Sequence, residues 1–159
     1  PKKYHRLYPG NEVRLRGAYI VRCTGCDKDS EGRVTTVYAE YDPASRGGSA
    51  PDGRKVRGTI HWVDSETAVD AEVRLYNTLF SVPQPDADER DYHELINPDS
   101  VVRLEGAKIE RWLYEERKKH SWQFMRQGYF VTDSKDDTDE HPVFNRAVSL
   151  KESYKPAGQ

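Results

Sequence analysis

Hydrophobic and charged positions alternate with a period of two in the first part of the chain. Val13 and Leu15 fall on one side of an extended segment over Asn11–Arg22, while Arg14 and Arg16 fall on the other, because successive strand side chains point to opposite faces. One side feeds a core, and the other offers two guanidinium groups a strand's step apart. The strand pattern recurs in Arg33–Tyr41, rich in Val, Thr and Tyr. It returns in Lys55–Val63, where Val56, Ile60 and Trp62 share an inward face, and in Ala71–Tyr76, with Val73 and Leu75 inward. Val101–Leu104, Ser121–Asp133 and Val143–Leu150 complete the set. A helical period is convincing only where Ile109, Trp112, Leu113 and Glu116 stand at i, i+3, i+4 and i+7, which predicts a helix over Lys108–Lys119. Ser65–Val69 has room for one helical turn and Asp91–Ile96 for a short turn or helix. Many short strands separated by turn signals predict a mainly β chain built as small barrels or sandwiches.

Breaks in the pattern divide the chain. Asp27–Gly32 reads as a hairpin connection. Asp42–Gly53, with Pro43, Gly47, Gly48 and Pro51, reads as a long flexible loop. It is not a phosphate-cradling motif, since no Lys-Ser/Thr follows it and no helix opens there. Pro83-Gln84-Pro85 and the acidic stretch to Arg90 mark the expected boundary between two units, residues 1–83 and 84–159.

Charge changes this picture by its distribution. The net charge is only −2, yet residues 1–22 hold six basic groups against one acid, whereas Asp133–Glu140 holds five acids and one Lys. A basic face on a neutral protein is the consequence. Tyr4, His5, Arg6, Tyr8 and Tyr19 lie near Arg14 and Arg16 in sequence. Guanidinium groups bind phosphates and base edges through paired donors, and aromatic rings stack on unpaired bases. A single-stranded nucleic acid suits that combination better than a metabolite. Ten Tyr, three Trp and four Phe argue against disorder. No apolar run has the length of a membrane span, and the start lacks a signal peptide's apolar core, so a soluble, cytoplasmic protein is expected.

Self-contained catalysis is harder to find. Cys23 and Cys26 form a lone Cys-x-x-Cys without a second ligand pair. They read as structural thiols near a strand end, with a redox or metal role as the alternative. His5, His61, His93, His120 and His141 show no ligand spacing, and His61 reads as a surface or hydrogen-bonded group. The run Asp136–Glu140 lacks the spaced ligands and central Gly of a calcium loop and reads as a solvated loop. A binding module therefore outranks an enzyme for this segment.

Six blocks bring a family into view. They are Tyr4–Leu7 with Pro9–Arg16, Asp52–Val63, Ala71–Pro83, Ile96–Ser100, Gln123–Ser134 and Pro142–Leu150. In this order they resemble the C-terminal anticodon-binding region of the glutaminyl-tRNA synthetases. The resemblance implies two β-barrels of the ribosomal-protein-like anticodon-binding kind, with one or two short helices, gripping an anticodon loop. The first, over 1–83, would be distal to the catalytic domain, and 84–159 would supply part of the proximal barrel and a C-terminal tail. It also implies contacts by position. Arg14 and Arg16 match arginines at the first anticodon base, and Arg6, with Lys3 and His5 beside it, matches the stretch used for the third. Gln123 and Arg126 match the pair used near the middle base. His5 stands where the family often has Lys, and Lys3 where Gln can occur. Gln123 and Arg126 are three apart and would face opposite ways on a regular strand, so joint contact calls for a bulge or irregular stretch.

The implied partners are the tRNA for glutamine and the protein's own N-terminal catalytic domain, with no membrane. The implied enzyme is a class I glutamine–tRNA ligase, inactive as this segment alone because the ATP-binding and Lys-Met-Ser-Lys-Ser-type motifs are missing. No cofactor is expected on this segment, ATP and Mg belonging to the catalytic domain. Two rivals remain: the anticodon-binding region of an archaeal or eukaryotic type of glutamyl-tRNA synthetase, and a β-barrel that binds structured RNA without regard to anticodon.

Overall fold

The computed structural model describes residues 6–150 and divides the chain into two compact units, Pro1–Trp62 and Val63–Gln159. Lys3 and His5 lie outside the described residues. The fold is mainly β, with one mixed sheet per unit.

The first unit contains β1 (Glu12–Leu15), β2 (Ile20–Lys28), β3 (Val34–Tyr41) and β4 (Thr59–Ile60), in the order β3-β2-β1-β4. β1 runs antiparallel to β2 through Val13↔Val21 and Arg14↔Ile20, and parallel to β4 through Arg14↔Thr59 and Leu15↔Ile60. Val13 and Ile20 are wholly buried and Val21 and Cys23 nearly so, so the alternation read from the sequence does select the core side of β1. Among the described residues β3 pairs only with β2, and every one of its residues is exposed. Cys23 and Cys26 are free thiols inside β2, the first buried and the second half-buried, on either side of an irregularity between Cys23 and Gly25. The hairpin turn comes after Lys28, where the Asp29 carboxylate accepts from the backbone N–H groups of Glu31 and Arg33.

The second unit carries β5 (Val69–Tyr76), α1 (Tyr92–Leu95), β6 (Val101–Ile109), α2 (Arg111–Glu116), β7 (Trp122–Phe124), β8 (Gly128–Thr132) and β9 (Val143–Ser149). The sheet order is β6-β5-β9-β8-β7, with β5 parallel to β9. Ala71, Val73, Ile109, Phe130 and Phe144 form its core. Phe124 stacks on Phe130 with ring centroids 4.3 Å apart. Among the described residues no ladder joins the first strand of either sheet to its last.

Two features differ from the sequence reading for one shared reason, pairing with distant segments. β5 hydrogen-bonds to β6 and β9, so the division between units falls at Trp62–Val63 rather than after Pro83. The expected long helix is reduced to Arg111–Glu116 because Lys108 and Ile109 are taken by β6, where Ile109 pairs with Val69 and is buried. Trp112, read as helix core, is 61% exposed and meets Trp122 edge-on at 5.4 Å.

The acidic loop departs furthest from expectation. Asp137, whose side chain is 2% exposed, accepts from Arg117 Nε at 3.0 Å, and Asp139 accepts from Arg117 Nη2 at 2.7 Å. Arg117 also donates to the carbonyls of Tyr114 and Thr138. Asp136 and Asp133 face Arg74, itself buried and paired with Glu72. Two buried guanidinium groups thus need this loop, since a buried charge is tolerated only when paired and hydrogen-bonded.

Candidate nucleic-acid interface

β1 ends at Leu15, so Arg14 and Arg16 are not equivalent positions of one strand. The Ala18 N–H donates to the Leu15 carbonyl at 3.0 Å and the Leu15 N–H to the Tyr19 carbonyl at 2.8 Å, which makes Leu15–Ala18 a tight turn. Gly17 takes φ +71° there, a left-handed conformation that costs glycine little and forces the reversal. Arg16 therefore sits at a turn corner, exposed, with its backbone fixed on both sides. Its N–H donates to the Ile60 carbonyl at 3.0 Å, and its own carbonyl accepts from Trp62 Nε1 at 3.0 Å. Trp62, read as a core residue, is instead 44% exposed and serves this turn.

Arg14 is half-buried on β1. Its Nε donates to the Gly48 carbonyl and its Nη1 to Thr59 Oγ1 at 3.3 Å. Both acceptors are neutral. Neither Arg14 nor the Arg16 side chain has a carboxylate partner among the described residues, so both keep a whole positive charge for a ligand. Arg54, by contrast, is held in the same unit by Glu12, Asp42 and Asp52 at 2.6 to 3.0 Å. The Arg54 guanidinium in turn holds the Asp42 and Asp52 carboxyls below the usual carboxylate range.

Arg6 begins the described residues and is exposed. Its carbonyl accepts from Asn11 Nδ2 at 2.8 Å, while Asn11 Oδ1 accepts from the Tyr8 N–H, so the Asn11 amide braces the bend that leads into β1. In the second unit, Gln123 is exposed on β7 opposite Tyr129, and Arg126 lies in the turn to β8. The Gln127 N–H closes that turn on the Phe124 carbonyl at 2.9 Å. Arg126 adopts φ 66°, the sole positive φ outside glycine among the described residues. Of the bulge or irregular stretch called for by the three-residue spacing of Gln123 and Arg126, the chain supplies the latter, as a tight turn. It reverses the chain after β7 and puts one residue on the strand and the other at its tip.

The structure groups the predicted positions as Arg14 with Arg16 in the first unit and Gln123 with Arg126 in the second. Gly48, Thr59 and Trp62 are the partners that sequence reasoning missed. The Gly47-Gly48 pair was visible as a signal, but of looseness rather than of close approach.

Two family models match, both described as the anticodon-binding domain of class I tRNA synthetases for glutamate and glutamine, one over residues 2–42 and the other over 59–133. The chain belongs to that family. Similar proteins include the glutamine–tRNA ligases of Bradyrhizobium diazoefficiens, 48% identical over 97% of this chain, and of Clostridium kluyveri, 47% identical over 98%. The enzyme of the same name from Vibrio cholerae is 47% identical over 96%. The chain spans 27 to 28% of the length of these relatives. No helix among the described residues is long and apolar enough to cross a membrane.

Proposed function

We propose that this chain reads the anticodon of the tRNA for glutamine, C-U-G or U-U-G, as part of a glutamine–tRNA ligase whose ATP- and Mg-dependent chemistry belongs to a catalytic domain outside the chain. The carrying observation is that the Arg14 side chain and the Arg16 backbone are fixed in place while both guanidinium groups keep their charge, with no carboxylate among the described residues to neutralise it. An unstacked base offers acceptors on its exposed edges, and its flanking phosphates offer charge. Arg16, whose guanidinium is committed to no described residue, suits paired donation to one base edge. Arg6, Gln123 and Arg126 supply further donors, with Lys3 and His5 as candidate additions beside Arg6. A good bidentate contact discriminates by about 1 to 3 kcal/mol, so a few reject non-cognate loops.

Binding of RNA stem-loops that differ only in the anticodon tests this. The C-U-G loop is expected to bind at least tenfold more tightly than a scrambled loop, and equal affinities would defeat the proposal. Because the family description spans both glutamate and glutamine enzymes, a loop carrying a glutamate anticodon belongs in the series. Preference for that loop would favour the glutamyl-type reading.

A further inference from the structure

The loop from Asp42 to Gly53 reads in sequence as a flexible connection, yet it is pinned. Ser45 is wholly buried, and its Oγ accepts from the Ile20 N–H at 2.8 Å while donating to the Asp42 carbonyl at 2.6 Å. The Asp42 N–H donates to the Ile20 carbonyl and the Gly48 N–H to the Ser45 carbonyl, at 2.9 and 2.8 Å. The loop is thereby tied to the start of β2, and its Gly48 end lies against Arg14. A Cβ at Gly48 would stand 2.8 Å from Arg14 Cδ and 3.0 Å from Cγ, and the backbone there has φ +89°. Any side chain at this position displaces the arginine.

We infer that Gly48 and Thr59 are positioning residues for Arg14: a carbonyl and a hydroxyl fix its guanidinium in one orientation without neutralising it, leaving Nη2 for an acceptor on the RNA. This rests on the reading that Arg14 touches the RNA. A carboxylate in either place would hold the side chain equally well but cancel the charge that an anionic ligand requires. Neutral acceptors orient the group and remove rotamer freedom before binding, so less entropy is lost when the complex forms. With Nε–H and one Nη1 hydrogen occupied, Arg14 keeps both Nη2 hydrogens and the second Nη1 hydrogen, fewer free donors than the open fork of Arg16.

The experiment measures anisotropy of a fluorescent RNA stem-loop with a C-U-G anticodon against the 159-residue chain, alongside thermal melting of each variant. Arg14→Ala is expected to weaken binding about tenfold. Thr59→Val, which removes only the hydroxyl, is expected to cost about threefold, and Thr59→Ser to restore the parent affinity. Gly48→Ala is expected to fall between Thr59→Val and Arg14→Ala. Neither Gly48→Ala nor Thr59→Val should weaken binding further when Arg14 is already Ala. Should Gly48→Ala fail to melt cooperatively, the Thr59 pair decides. Parent-like affinity in both Gly48→Ala and Thr59→Val, or losses that add in full to Arg14→Ala, would overturn the inference. Parent-like affinity in Arg14→Ala itself would overturn the RNA contact and the inference with it.

Discussion

Arg14 in the first unit and Arg117 in the second are both arginines drawn out of solvent, and they are held by opposite chemistry. Arg117 meets the carboxylates of Asp137 and Asp139 and two backbone carbonyls, so its charge is cancelled inside the protein and its donors are spent on the fold. Arg14 meets one carbonyl and one hydroxyl, so its charge survives. The difference separates arginines that build the molecule from arginines available to an anion, and burial alone would not have separated them. Arg74 sorts with Arg117, since Glu72, Asp133 and Asp136 surround it. Arg16, with no carboxylate partner among the described residues, sorts with Arg14.

The largest effect should come from breaking the buried group. Asp137→Ala leaves Arg117 short of its best-buried partner and is expected to destabilise the second unit by about 3 kcal/mol or more in chemical denaturation. A loss below about 1 kcal/mol would show that the pair is dispensable. Arg16→Ala should do the reverse: roughly tenfold weaker binding of a C-U-G stem-loop, with unfolding free energy unchanged within about 0.5 kcal/mol.

Acid should also strike the second unit. Hydrogen bonds from Asn145, then from the Asp136 and Lys135 backbones, hold Asp133 down to about 2. The Glu72 carboxyl is lowered chiefly by Arg74 and then by His141. Folded values below the unfolded ones mean that this stabilisation is complete above the ordinary carboxylate range near about pH 4. It is lost as pH falls from there through the lowered values toward 2. Fluorescence of Trp112 and Trp122 during acid titration checks it, and stability that stays flat down to pH 2 would contradict it.

Arg126→Gly gives the smallest and most diagnostic pair of changes. Relieving the φ 66° backbone is expected to raise stability by up to about 1 kcal/mol, while removal of the guanidinium weakens binding. A variant less stable than the parent would show that the side chain serves the fold.

The β-rich fold was legible because period-two alternation is local: Val13 against Arg14 needs no knowledge of the partner strand. Arginines near aromatics in the first 22 residues likewise marked one end as basic. Whatever depends on pairing across sequence was not legible. The capture of Ile109 by Val69, 40 positions away, shortened the helix. The approach of Gly48 to Arg14 turned an apparently flexible loop into a brace. Trp62 looked inward by parity, but the two-residue β4 ends before it, so parity no longer applied and the indole went to the Arg16 turn. The acidic loop read as solvated because the arginines that need it, Arg74 and Arg117, lie 59 and 20 positions from their partners Asp133 and Asp137.

The most direct measurement compares two substitutions that remove the same charge from the same unit, Arg16→Ala and Arg33→Ala. Arg33 is exposed and paired with Asp29 and Glu31. Affinity for the C-U-G stem-loop is read as a function of salt concentration. Arg16→Ala is expected to weaken binding about tenfold and to make the logarithmic salt dependence shallower by about 0.7, whereas Arg33→Ala should stay within about twofold of the parent. Equal losses in the two variants would mean that total charge, and not which arginines lack carboxylate partners, governs recognition.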